Sequence, residues 1–88
     1  MKPRIAIIIP DRGDRPKLLA NCMRQISAQT VQPNYVLFVN TPAISDKPDI
    51  TWRYRTGYNE LRGLGFDVIF FMENDDWYAP DYIETMMA

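Results

Sequence analysis

The stretch RIAIIIPDRGDRPKLLANCMRQI (Arg4–Ile26) decides the reading of this chain. It opens on five consecutive apolar residues, Ile5 to Ile9, four of them β-branched, and Pro10 stops the run. A continuous run of this kind, with no polar alternation, marks a strand buried on both faces, as in a parallel sheet covered by helices. Pro16 then suits the first turn of a helix. Leu18, Leu19, Cys22, Met23 and Ile26 follow at three- and four-residue spacing, which predicts an apolar stripe lying on the sheet.

Working outward, two more runs of the same type appear, Tyr35–Val39 and Val68–Met72. A polar, proline-containing stretch, 40–50, precedes a second helix capped by Asp49 or Thr51 and running to about Leu64. Its expected buried face is Trp52, Tyr58, Leu61 and Leu64, with Gly63 and Gly65 as its stop and Gly57 as an interior weakness. A last helix starts near Pro80. The order β-α-β-α-β-α implies a three-layer α/β/α architecture with a short, mainly parallel sheet and right-handed crossovers. Ligands of such sheets bind beyond the carboxyl ends of the strands, where strand order reverses. With the first strand central, the loops after strands one and three flank that crevice.

Composition narrows the chemistry. The 88 residues make one domain, with 47% hydrophobic and 24% charged residues, and bury roughly 60–65% of the unfolded surface. Net charge is −1, which argues against a dedicated nucleic-acid or polybasic membrane binder. There is no histidine and a single cysteine, so His-based triads, His-containing zinc sites and multi-thiolate zinc sites are excluded. Any metal would be held by oxygen. No segment has the ~20 apolar residues of a membrane span, and the N-terminal run is too short for a signal peptide, so the expected compartment is the cytoplasm.

The balanced charge is unevenly placed: residues 1–44 carry +4 and residues 45–88 carry −5. Glu73, Asp75 and Asp76 follow the third strand, and carboxylates two apart on an extended segment point to one side. Such a cluster suits a hard cation, Mg²⁺ or Mn²⁺, with water and phosphate oxygens completing the shell. It also reads as a solvated acidic turn that caps the last helix. Arg12 and Arg15 around Gly13 suggest anion handling at a helix N-terminus. Arg53 and Arg55 are expected on an exposed helix face, with the crevice as the alternative, and Cys22 is expected in the core.

Two blocks carry a family resemblance. RIAIIIPDRGDRPKLLANCMRQISAQTVQPNYVLFVN resembles the opening "IIPTxxRPxLLxxCLxSIxxQT" of family 2 glycosyltransferases of the GT-A fold. FDVIFFMENDDWYAPDYIE resembles their "YIxFLDxDDWxxPxxLE" segment, which holds the DxD motif. The resemblance implies a truncated GT-A, Rossmann-like domain over residues 1–88 that binds a nucleotide-diphosphate sugar of UDP or GDP type through Mn²⁺ or Mg²⁺. It places Glu73 on the first acid of the motif, facing ribose or metal, and Asp75 on the second, the metal ligand. Asp76 falls near the donor sugar and is the one candidate catalytic residue. Pro10, Asp11 and Arg12 fall along the nucleoside, and Asn40 stands where the family often has an Asp that contacts the base. Arg55 falls where it approaches the diphosphate. The family's acceptor-recognition half has no counterpart here, so donor binding without turnover is expected of this chain alone. A different reading is a non-catalytic remnant that self-associates, as a homodimer, or binds a partner through Trp77, Tyr78, Tyr82, Ile83, Met86 and Met87.

Overall fold

The computed structural model of the chain describes residues 3–11, 16–40, 49–73 and 76–88. The elements run β1 (Ile5–Pro10), α1 (Pro16–Ser27), β2 (Tyr35–Val39), α2 (Asp49–Leu61), β3 (Val68–Phe71) and α3 (Tyr82–Met87). The sheet has order β2-β1-β3 and is parallel throughout, with Ile7 opposite Val36 on one side and Phe70 on the other. β1 is therefore the central strand, as its unbroken apolar run requires. Ile5 is 3% exposed, and Ala6, Ile7, Ile8 and Ile9 are fully buried.

The period-two alternation of a strand divides β1 between two apolar layers. Ile5, Ile7 and Ile9 pack with Cys22, Ile26, Phe70, Met72 and Ile83, so α1 and α3 cover one face. Ala6 and Ile8 pack with Val39 and Leu61, so α2 covers the other. This is the expected three-layer α/β/α arrangement. Cys22 is fully buried in the first layer, and burial raises its thiol pKa above 9.0.

The helix faces differ from the periodicity reading in detail. On α1, Leu18 and Met23 are exposed, and the buried stripe narrows to Cys22 and Ile26 with half-buried Leu19. Half-buried Gln25 continues that face, and buried Gln29 follows just past the end of the helix. On α2 the expected face holds at Leu61, which is 1% exposed, and fails elsewhere: Tyr58 and Leu64 are exposed and Trp52 is only half-buried. The buried residues are Arg53, Gly57 and Leu61, spaced by four.

Gly57 explains the rotation. A Cβ built there would lie 2.7 Å from Ile8 Cγ2 and 3.1 Å from Val39 Cγ2, so the glycine is where α2 meets the sheet most closely. The expected caps at Asp49 and Thr51 lie outside the described side chains. Gly63 and Gly65, both at positive φ (84° and 86°), end the helical unit as anticipated. Arg4 then ties that turn to β1: its Nη1 donates to the Leu64 carbonyl at 2.9 Å, and its backbone N–H donates to the Asp67 carboxylate at 2.7 Å.

Candidate functional site at the carboxyl ends of the strands

Strand order reverses at β1, because β2 and β3 lie on opposite sides of it. The residues beyond the carboxyl ends of β1 and β3 therefore flank the crevice position of an open α/β sheet. Pro10 shapes it. Ile8 accepts a hydrogen bond from the Met72 N–H at 3.0 Å, and the next rung of the β1–β3 ladder needs an N–H from Pro10 that proline lacks. Pairing continues on the β2 side, where Asp11 N–H donates to the Val39 carbonyl at 3.0 Å. The sheet thus parts between β1 and β3, on the side where the acidic segment begins.

Asp11 is buried at this end, only 7% exposed. Beside it lies Arg53, 3% exposed, whose Nη1 donates to the same Val39 carbonyl at 2.7 Å. The Asp11 backbone and the Arg53 guanidinium thus converge on one acceptor at the end of β2. Arg53 was expected on an exposed helix face and is instead buried, because the close approach at Gly57 turns that side of α2 onto the sheet. Arg55 is exposed on α2, and Asn40 is exposed just after β2. Arg12, Arg15 and Asp75 lie outside the described residues.

Glu73 is half-buried directly after Met72, and Asp76 is exposed. The Glu73 N–H donates to the Tyr78 hydroxyl at 2.9 Å, which folds the chain back over the strand end. Burial pushes the Tyr78 phenol up to about 12; the Glu73 N–H bond opposes that rise and the nearby Asp76 carboxylate adds to it. The segment after Tyr78 is fixed from just past the end of α1. Gln29, 5% exposed, donates from Nε2 to the Ala79 carbonyl at 2.7 Å, and its Oε1 accepts the Ile83 N–H at 3.0 Å.

This arrangement bears on the capping reading of the acidic run. Asp81 at the N-cap of α3 makes no side-chain capping bond, and the free N–H of Ile83 in the first turn is taken by Gln29. The Ile83 N–H of α3 is thus satisfied by Gln29, just past the end of α1. Of the residues that shape this end, Gln25 and Gln29 are not singled out by the sequence, and Tyr78 is singled out only as a contact in the self-associating reading. The available signal was polar side chains at core-facing helical positions, Gln25 and Gln29 beside Cys22 and Ile26, and Arg53 four before Gly57.

The donor chemistry at this end is carboxylate oxygen, the kind that suits Mg²⁺ or Mn²⁺. Among the described residues no three Asp, Glu or Cys side chains gather into a metal-holding group. Cys22, fully buried in the core, is not part of the site. Two shallow depressions in the described surface lie elsewhere, one beside Gly63, Gly65 and Phe66, the other beside Gln32, Pro33 and Tyr35. Both sit toward the amino ends of the strands, where the sequence supplies no convergent chemistry.

A Bacillus subtilis (strain 168) protein described as "Putative glycosyltransferase EpsH" is 26% identical to this chain over an 87-residue alignment. The alignment covers 78% of this chain and 25% of that relative, so the chain spans about a quarter of the relative's length. No family model matches the chain. No solved structure matches it. The sequence is glycosyltransferase-like to the extent of that similarity, and the α/β architecture is of the Rossmann-like kind. No helix among the described residues is long and apolar enough to cross a membrane.

Proposed function

We propose that the carboxyl end of this sheet is the donor-binding face of a glycosyltransferase-like domain, which holds a nucleotide-diphosphate sugar through a divalent cation. The central position of β1 carries the reading. It brings the Pro10–Asp11 loop and the Glu73–Asp76 segment to the same strand-order reversal. The similarity to the Bacillus subtilis relative supports it independently of geometry.

In this reading Glu73 and Asp75 hold Mn²⁺ or Mg²⁺, and Asp76 faces the donor sugar. Pro10, Asp11 and Arg12 lie along the nucleoside, Asn40 meets the base, and Arg55 reaches toward the diphosphate. The bound metal would offset the negative charge that develops on a departing nucleoside diphosphate. The chain's own part is to orient the donor. Val39 and Arg53 stiffen the end of β2 next to Asn40, and Tyr78 fixes the backbone at Glu73.

Calorimetric titration with UDP- and GDP-sugars, with and without Mn²⁺, tests the proposal on wild type and Asp75→Ala. Metal-dependent binding that is lost in the variant is expected. Absence of binding at millimolar ligand by well-folded wild-type protein would sink the reading. In that case a partner-binding or self-associating module becomes the better account. Trp77, 74% exposed, and Met86, 60% exposed, favour that second reading, while Tyr78, Tyr82, Ile83 and Met87 dock on the chain's own core.

A further inference from the structure

Five hydrogen bonds run from the last turn of α1 and the residues just beyond it to residues 78–84. Gln29 supplies two of them, to the Ala79 carbonyl and from the Ile83 N–H. Gln25 Oε1 accepts the Tyr78 N–H at 2.5 Å. The Thr30 N–H donates to the Pro80 carbonyl at 2.8 Å, and its hydroxyl to Glu84 at 2.8 Å. The Tyr78 hydroxyl then continues toward the strand end, where it accepts the Glu73 N–H.

The chemistry of the two anchors is specific. Gln29 must donate and accept at once, which a carboxylate or a thioether of the same length cannot do. Gln25 keeps its Oε1 toward Tyr78 although its own Nε2 is buried without a partner. A buried unsatisfied donor is costly, so the Tyr78 contact is held against a local penalty. Helix docking alone does not require this, since Tyr78, Tyr82 and Ile83 already pack on the core.

We propose that Gln29 and Tyr78 are positioning residues for the donor site: Gln29 locks residues 79–83 to the segment just past α1, and the Tyr78 hydroxyl transmits that lock to the Glu73 backbone. The inference rests on the donor-site reading above for its functional half. Its structural half concerns the free protein.

Tyr78→Phe removes only the hydroxyl and leaves the ring packed, so the fold is retained. In wild-type and variant protein without ligand, amide hydrogen exchange reads the Glu73 N–H directly. The expected result for Tyr78→Phe is exchange at Glu73 faster by about tenfold, the worth of one hydrogen bond, with residues of β1 unchanged. Gln29→Met is expected to speed exchange at Ile83 as well as Glu73, and Gln29→Glu, which keeps the acceptor, to spare Ile83 more than Glu73. Titration of Mn²⁺ with UDP and with GDP then reads the functional half, with dissociation constants raised about tenfold in Tyr78→Phe. Unchanged exchange at Glu73 overturns the positioning role. Faster exchange with unchanged affinity overturns its link to the site. A wild type that binds no metal–nucleotide overturns the donor-site reading itself, while the exchange result still decides whether the strut exists.

Discussion

At the scale of single residues, Gly57 is the most constrained position in α2. The nearest atom to an added Cβ is Ile8 Cγ2, a branch carbon on a fully buried side chain, at 2.7 Å. Overpacking of that kind costs about 1–3 kcal/mol, against about 1 kcal/mol gained in helix propensity. Gly57→Ala is therefore expected to lower stability by up to about 2 kcal/mol, measured by urea unfolding. The same substitution placed on Ile8→Ala should cost less than it does alone, because both close Ile8 atoms, Cγ2 and Cδ1, are gone. Additive effects of the two substitutions would show that contact with Ile8 is not what excludes the side chain. The glycine that weakened the helix in the sequence is thus the residue that lets the helix sit on the sheet.

At the scale of elements, the strands were legible and the helix faces were not. Ile5–Ile9, Tyr35–Val39 and Val68–Met72 each form a strand, but burial on both faces holds for β1 alone, since Tyr35 on β2 and Phe71 on β3 are exposed at the sheet edges. The observed ends differ by a single residue, with Pro10 added to β1 and Met72 left out of β3. Helix faces depend on which residues permit close approach, and periodicity of apolar types misses that when a glycine and an arginine occupy the contact. Hence Arg53, first expected on an exposed face, is buried, while Tyr58 and Leu64, expected in the buried face, are exposed. The place of the candidate site was legible to the extent that Asp11 and Glu73 stand just beyond the carboxyl ends of β1 and β3. Its supports were not, because Gln29 reaches Ala79 across 50 residues of sequence. Arg53 is open to a direct check. Arg53→Met removes the bond to the Val39 carbonyl but leaves that oxygen the Asp11 N–H, so a loss of about 1.5 kcal/mol is expected in denaturant unfolding. An Arg53→Met protein as stable as wild type would show that the guanidinium does not brace the end of β2.

At the scale of the whole molecule, pH links one phenol to global stability. Tyr78 titrates at about 12 in the folded chain instead of 10.0, so the folded state keeps a proton that the unfolded state loses first. The unfolded chain binds fewer protons between those two values, which makes the slope of unfolding free energy against pH negative there. Stability from this group is complete below about pH 10 and falls as pH rises toward 12. Chemical denaturation at stepped alkaline pH should show that decline in wild type and a shallower one in Tyr78→Phe. Equal slopes in the two proteins would remove Tyr78 as the cause.

The strand order also governs how the chain reaches its fold. Both neighbours of β1 come later in sequence, and Ile5 finds its β3 partner only at Val68. During synthesis the most apolar strand emerges first and waits for both of its edges to be covered. No local hairpin relieves the wait, because every pairing in the sheet is parallel and needs a crossover. Loop closure must come before the contacts that reward it, so folding is slow for so small a chain. Until residue 71 has appeared, Ile5–Ile9 is a sticky, unpaired template, and the nascent chain is at its most vulnerable to association with its neighbours.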